Sequence, residues 1–264
     1  EEIKKIISGF EAISMEEMES VKLMDRIDSK YVFRIEQLPA ILEGMKDTYR
    51  LFEIDNIRLH RYETLYYETP DFKLFNQHNH GKLNRHKIRF RRYADSNGLT
   101  YFEIKHKRNT GRTVKKRVKN MQVDESIFGN AENLLRKITP FTPEMLIPTI
   151  WVNYSRMTFI NKFNPERMTI DVNLNFVPVA KNKNGEKSPV NFPQLVIAES
   201  KRDKASSVSQ FIRLARQNLV REGSISKYCL GVFNLYKESV KSNNLKERIR
   251  YIDKVLKQQP VISN

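Results

Sequence analysis

Cationic side chains recur at alternate positions through residues 86–118, "HKIRFRRYADSNGLTYFEIKHKRNTGRTVKKRV". Successive side chains on a β-strand face opposite sides. In "KIRFRRY" that rule sets Lys87, Arg89 and Arg91 on one side, against Ile88, Phe90 and Arg92. "YFEIKHK" sets Glu103, Lys105 and Lys107 against Phe102 and Ile104, and "TVKKRV" sets Lys115 and Arg117 against Val114, Lys116 and Val118. Further along, "DRIDSKY" aligns Arg26, Asp28 and Lys30, "NYSRMTF" carries Arg156 among aromatic and apolar neighbours, and "VIAESK" ends in Glu199 and Lys201. Guanidinium and ammonium groups in rows suit one chemistry above others, charge-assisted binding of phosphate oxygens, which for Arg is often bidentate.

A single basic strand face is commonly just solvated. A solvated face also tends to mix signs, because like charges on adjacent strands repel, and here opposite charge is sparse. Three runs in phase point to a sheet rolled into a closed barrel with its cations turned inward. Backbone cradling of phosphate is excluded: no two of the nine glycines lie closer than Gly223 and Gly231, so no Walker A loop or GxGxxG turn can be written.

The composition agrees. With 47 Lys plus Arg against 31 Asp plus Glu, the 264-residue chain carries a net charge of +16, which calls for a polyanionic partner. Cys229 is the single cysteine, so an internal disulfide and a Cys-based zinc site are both excluded. No apolar run approaches a membrane span, and "EEIKK" lacks a secretory pattern, so the expected location is cytoplasmic. The His78-x-His80 pair sits among Asn and Gly and reads as loop, and "KERIRYIDKVLKQQ" reads as a basic packing helix.

The elements that must position these cations are strands with helices around them. Periodicity predicts strands within 22–33, 49–56, 59–69, 86–94, 99–108, 113–121, 149–160, 167–176 and 194–201, with turns at "DSNG" and "NTG". Helices are predicted over 10–21, with Ser14 as an internal cap, and over 34–45, 71–81 and 124–147. The polar stretch 179–193 reads as a loop, and three helical patterns follow from about 205. The expected architecture is α+β: an eight-stranded antiparallel closed tunnel in one domain, with helical segments at about 1–21 and 205–258.

The order of "DRIDSKYVF", "YYETPDF", "KIRFRRY", "FEIK", "TVKKRV", "NYSRMTF", "RMTIDVNL", "IAESK" and "SKYC", spread over residues 20–235, resembles the triphosphate tunnel metalloenzymes. Within them it resembles the polyphosphate polymerase domain of the vacuolar transporter chaperone type and its bacterial relatives. That resemblance makes Lys30, Arg89, Arg91, Lys105, Lys115 and Arg156 the triphosphate ligands and Lys227 a further phosphate contact, with Lys30, Arg89, Arg91, Lys105 and Arg156 as the expected catalytic residues. Arg26, Lys87, Arg117 and Lys201, in the cationic rows of the strands, are expected to bind phosphate with Lys115 and Lys227. It makes Glu199 the ligand of a divalent metal, Mn²⁺ before Mg²⁺, with Asp171 or Glu103 as weaker candidates to assist. Glu199 alternatively serves as an ion-pair partner of Lys201 or another cation. The Glu-x-Glu-x-Lys signature of the wider superfamily is here Arg26-x-Asp28-x-Lys30. The implied reaction transfers the γ-phosphoryl group of ATP to a growing inorganic polyphosphate chain, and no nucleic-acid partner is expected. Two alternatives stay open: a triphosphatase, and a non-enzymatic binder of polyphosphate or nucleic acid in which Tyr93, Tyr101 and Phe102 supply stacking.

Overall fold

The computed structural model describes residues 1–20, 26–123, 125–179, 188–204, 209–223, 225–241 and 243–257. In chain order the strands are β1 (Ala12–Ile13), β2 (Arg26–Arg34), β3 (Tyr49–Phe52), β4 (His60–Glu68), β5 (Arg85–Tyr93), β6 (Leu99–Lys107), β7 (Thr113–Asn120), β8 (Ile147–Asn161), β9 (Glu166–Pro178), β10 (Val190–Phe192) and β11 (Leu195–Asp203). The α-helices are α1 (Glu2–Ser8), α2 (Met15–Ser20), α3 (Leu38–Glu43), α4 (Lys73–Asn79), α5 (Gly129–Ile138), α6 (Gln210–Gln217), α7 (Lys227–Tyr236) and α8 (Lys246–Lys257). None of these helices is long and apolar enough to cross a membrane.

One sheet runs through the molecule in the order β2-β11-β9-β8-β4-β5-β6-β7, and β1, β3 and β10 attach beside it. All pairs are antiparallel except the short β1–β3 contact. The expected closed eight-stranded barrel is therefore corrected: the sheet has eleven strands, and its ends, β2 and β7, do not hydrogen-bond to each other. The free edge of β2 is met instead by the segment before α7, through a Tyr31–Glu222 bridge and a Gly223 N–H donated to the Lys30 carbonyl at 2.8 Å. The β7 edge is a run of cations, Lys115, Lys116, Arg117 and Lys119, and such edges resist pairing.

The sheet is nevertheless strongly curled. Lys201 on β11 lowers the pKa of Lys105 on β6, although β9, β8, β4 and β5 lie between them in the sheet. Register shifts at Tyr66/Tyr67 and at Asn153/Ser155 bend the long strands, and Asn173, facing the second shift, takes a left-handed φ of 55°. The convex side is covered in two places. Tyr31, Phe33, Ile170 and Val196 pack under α1, α3 and α6, while Leu65, Ile88, Phe90, Phe102 and Ile104 pack under α5. On the concave side Val32, Tyr66, Ile150, Val152 and Ile197 form a third cluster with α7 and α8, so one end of the bore is filled by helix.

Two predicted helices are shorter than expected. The 10–21 helix is interrupted where Ile13 is buried as part of β1, and α2 starts only after Ser14. Ser14 caps that start: its N–H donates to Glu17 Oε2 at 2.9 Å while its Oγ accepts from the Glu17 N–H at 3.3 Å. The 124–147 pattern yields α5 alone among α-helices, bounded by Phe128 in extended conformation and by Pro140. Within the 179–193 loop, Val190–Phe192 adds a strand to β9. Residues 22–25 of the first predicted strand lie outside the described residues.

Candidate functional site

Register assembles the cations in rows across the concave face. Lys87, Lys105 and Lys115 stand opposite one another on β5, β6 and β7; Arg89, Glu103 and Arg117 form the next row, and Arg91, Tyr101 and Lys119 the one after. On the other wall Lys30 faces Glu199, which faces Thr169, and Arg156 faces Asp171. Helix α7 delivers Lys227 at its N-terminus, where Ser226 caps the helix by accepting from the Cys229 N–H. Lys87 donates to the same Ser226 Oγ at 2.9 Å.

Three carboxylates organise these cations. Glu103 Oε2 accepts from Arg89 Nε at 2.8 Å and Nη2 at 2.6 Å, and Lys115 pairs with its other oxygen. Asp171 takes Arg156 bidentately, at 2.6 and 2.8 Å, and also pairs with Lys227. Glu199 holds Lys30 at 2.6 Å through one oxygen and Lys201 at 3.3 Å through the other. Burial alone would raise all three carboxyl pKa values, but the adjoining cations outweigh it and hold each below its ordinary range: Arg89, Arg91 and Lys115 for Glu103; Arg156 and Lys227 for Asp171; Lys201 and Lys30 for Glu199. All three are charged at neutral pH. The expected near-absence of opposite charge on this face is thus corrected. For Glu199 the expected alternative, pairing with Lys201 or another cation, is what the structure shows. The pairing of Glu103 and Asp171 was missed, although Glu103 stands in phase with Lys105, because which cations an acid meets depends on the neighbouring strands.

Other cations lack a direct carboxylate partner among the described residues. Arg91 donates to Thr64 Oγ1 at 3.3 Å and to the Tyr154 hydroxyl at 3.0 Å, and Arg117 lies 4.4 Å above the Tyr101 ring. Tyrosines serve as neutral anchors: Tyr66 accepts from Arg89 at 2.8 Å, and the Tyr62 ring lies beneath Arg91 and Arg156 at 5.4 and 5.2 Å. Lys105 has the least compensation. Repulsion from Arg89, then burial, then Arg91, Lys201 and Lys87, pushes its pKa down to about 6.

Of the predicted site residues, Lys30, Lys87, Arg89, Arg91, Lys105, Lys115, Arg117, Arg156, Glu199, Lys201 and Lys227 share this face. The Arg26 side chain lies outside the described residues. Lys107 leaves the row, donating to the Gly111 carbonyl of the next turn. No group of three or more His, Cys, Asp or Glu side chains suited to a metal occurs among the described residues. The loop expected at His78-x-His80 is corrected: His78 lies in α4 and His80 is its C-cap, with Nδ1 bonded to the Asn76 carbonyl at 2.7 Å.

The sequence matches the VTC domain over residues 25–236, and the chain belongs to that family. Its structure is similar to that of an adenylate cyclase-like protein from Bacillus halodurans, at 12% identity and a TM-score of 0.46, covering 77% of this chain and 96% of the other. It is likewise similar to an adenylyl cyclase-like protein from Hippeastrum described as having a dominant triphosphatase activity, at 9% identity and a TM-score of 0.47, covering 80% and 96%. No curated protein matches the sequence.

Proposed function

We propose that the concave face binds a nucleoside triphosphate and transfers its γ-phosphoryl group to the end of an inorganic polyphosphate chain. The observation that carries this reading is a curled wall of Arg and Lys in which Arg91 has no direct carboxylate partner among the described residues and Lys105 is crowded by like charge. Phosphoryl transfer spreads negative charge over the moving group, so positioned cations supply most of what the reaction needs. Arg89 and Arg156 are held by Glu103 and Asp171 in fixed orientations, with Tyr66 and the Tyr62 ring as further supports. Arg91 is oriented by Thr64 and Tyr154, leaving donor capacity directed into the cleft. An attacking phosphate oxygen is already deprotonated at neutral pH and needs no general base. Among the described residues no histidine side chain hydrogen-bonds to a serine or a carboxylate, which fits that requirement.

The family implies a divalent metal. The donors fit an ion that arrives with its phosphates and takes one protein carboxylate, Glu199, rather than one caged by protein alone. Such an ion would neutralise charge on the phosphate oxygens, and Lys30 and Lys201 would share Glu199 with it or turn onto the phosphates. Manganese is our first choice. The test is incubation with ATP and Mn²⁺ followed by gel analysis. A polyphosphate ladder is expected from the wild type, weakened by roughly 10²-fold or more in Arg91→Ala and Glu199→Gln proteins that keep the wild-type circular dichroism. Release of free phosphate without a ladder would identify a triphosphatase and overturn the polymerase reading.

A further inference from the structure

Besides cations, the concave face carries a row of tyrosines, of which Tyr62 and Tyr154 anchor Arg91 and Arg156 while Tyr93 and Tyr101 continue the row beyond them. Tyr154, Tyr62, Tyr93 and Tyr101 come from four consecutive strands of the sheet, β8, β4, β5 and β6. Tyr154 and Tyr62 stack at 5.2 Å with an interplanar angle of 7°, Tyr62 meets Tyr93 edge-on at 5.0 Å, and Tyr93 meets Tyr101 at 6.2 Å. The row ends under the exposed Arg117 guanidinium on β7.

Its position is specific. Helices α7 and α8 fill the end of the bore near Tyr66, whereas Tyr93 and Tyr101 lie at the opposite end, beside the 94–98 turn. Tyr154 is buried, but Tyr62, Tyr93 and Tyr101 are only half-buried. Their hydroxyls have no hydrogen-bond partner among the described residues, in contrast to Tyr66 and Tyr154, whose hydroxyls receive Arg89 and Arg91. Phe90 and Phe102 on the convex side are fully covered by core, and Tyr154 and Tyr62 belong to the cluster that includes α7 and α8. Tyr93 and Tyr101 are thus the two rings of the row that lie outside the core clusters.

We propose that this row is a stacking platform for the base of a nucleoside triphosphate, so that the nucleotide enters phosphate-first with its base left at the Tyr93–Tyr101 end. The inference rests on the triphosphate-binding reading above and adds an orientation and a nucleoside subsite to it. Tyr93 follows Arg91 by two residues, about 6.7 Å along a strand, a step that a ribose bridges between base and α-phosphate. Arg117 now rests on the Tyr101 ring at 4.4 Å, and a base taking that place would lift the guanidinium onto its own outer face, since guanidinium planes stack on bases as aromatic rings do. Stacking reads a π-face rather than a hydrogen-bonding edge, so the platform accepts any base and favours the larger purines.

The test is calorimetric titration of the full chain, with Mn²⁺ present, using inorganic triphosphate and an ATP analogue whose β–γ bridge cannot be cleaved. In the Tyr93→Leu/Tyr101→Leu protein the analogue is expected to bind about tenfold more weakly, while triphosphate affinity stays at the wild-type value. The Tyr93→Phe/Tyr101→Phe protein retains the ring faces and should bind both ligands as the wild type does. Equal weakening of both ligands in the leucine protein, or of neither, overturns the platform. Wild-type protein that binds triphosphate but not the analogue overturns the platform alone, and wild-type protein that binds neither overturns the triphosphate reading and the platform together.

Discussion

Lys105 shows how a tunnel-facing cation behaves when its neighbours are also cations. It stands in register between Lys87 and Lys115, and the nearest acid, Glu103, already serves Arg89 and Lys115. With its pKa brought from 10.5 down to about 6, Lys105 is mostly neutral at pH 8. The unfolded chain binds more protons than the folded one between those values, so this group makes the fold gain stability as pH rises from about 6 to 10.5. Below about 6 the penalty is complete, because Lys105 is charged in both states. On the proposed function, a bound triphosphate would offset the repulsion and restore the ammonium. Triphosphate binding at pH 8 is therefore expected to take up close to one more proton in the wild type than in Lys105→Met, measured by calorimetry in buffers of different ionisation enthalpy. Equal uptake by both proteins would refute it. The alternation that puts Lys105 on this face was legible in "FEIKHK", because a strand's period of two is local. Its depressed pKa was not, since Arg89, Arg91, Lys201 and Lys87 come from other strands.

At the scale of elements, α7 links the apolar end of the bore to the cationic face. Gly231 lies where a Cβ would come within 2.6 Å of both Ile150 Cδ1 and Phe176 Cδ1, side chains that are themselves fully buried. At the start of the helix, Tyr228 donates to the buried Glu68, which also accepts the Leu74 and Phe75 N–H groups at the N-terminus of α4. The seat of α7 therefore fixes Lys227 against Asp171 and Ser226 against Lys87. Gly231→Ala should lower stability by roughly 1–3 kcal/mol through overpacking and weaken triphosphate binding by shifting Lys227. Thermal melts and titrations check both effects, and an alanine protein that melts at or above the wild type would refute the close seat. The helical character of "SKYCLGVFNLY" was readable from its periodicity, but its lodging inside the curl was not. In the same way, the 10–21 pattern did not disclose that Ala12–Ile13 pairs with β3, a contact made across 38 residues or more of chain.

For the whole molecule, the net charge of +16 is drawn partly onto one concave surface, and the fold carries that repulsion. Anions that bind only the folded state stabilise it by mass action, about 2.7 kcal/mol at a hundredfold excess over Kd. Triphosphate and polyphosphate should therefore raise the melting temperature by several degrees, with a gain that shrinks as salt increases. A melting temperature unchanged across millimolar triphosphate would count against the site. Sequence alone determined the strand faces, the lack of a Gly-rich phosphate loop and the large excess of cations, because composition and side-chain alternation are properties of the chain itself. Tertiary structure decided that the sheet curls without closing, that Glu103, Asp171 and Glu199 each bridge two cations, and that tyrosines line one end of the cleft. Those features depend on which strands become neighbours, and that is set by packing across the fold rather than by any local stretch.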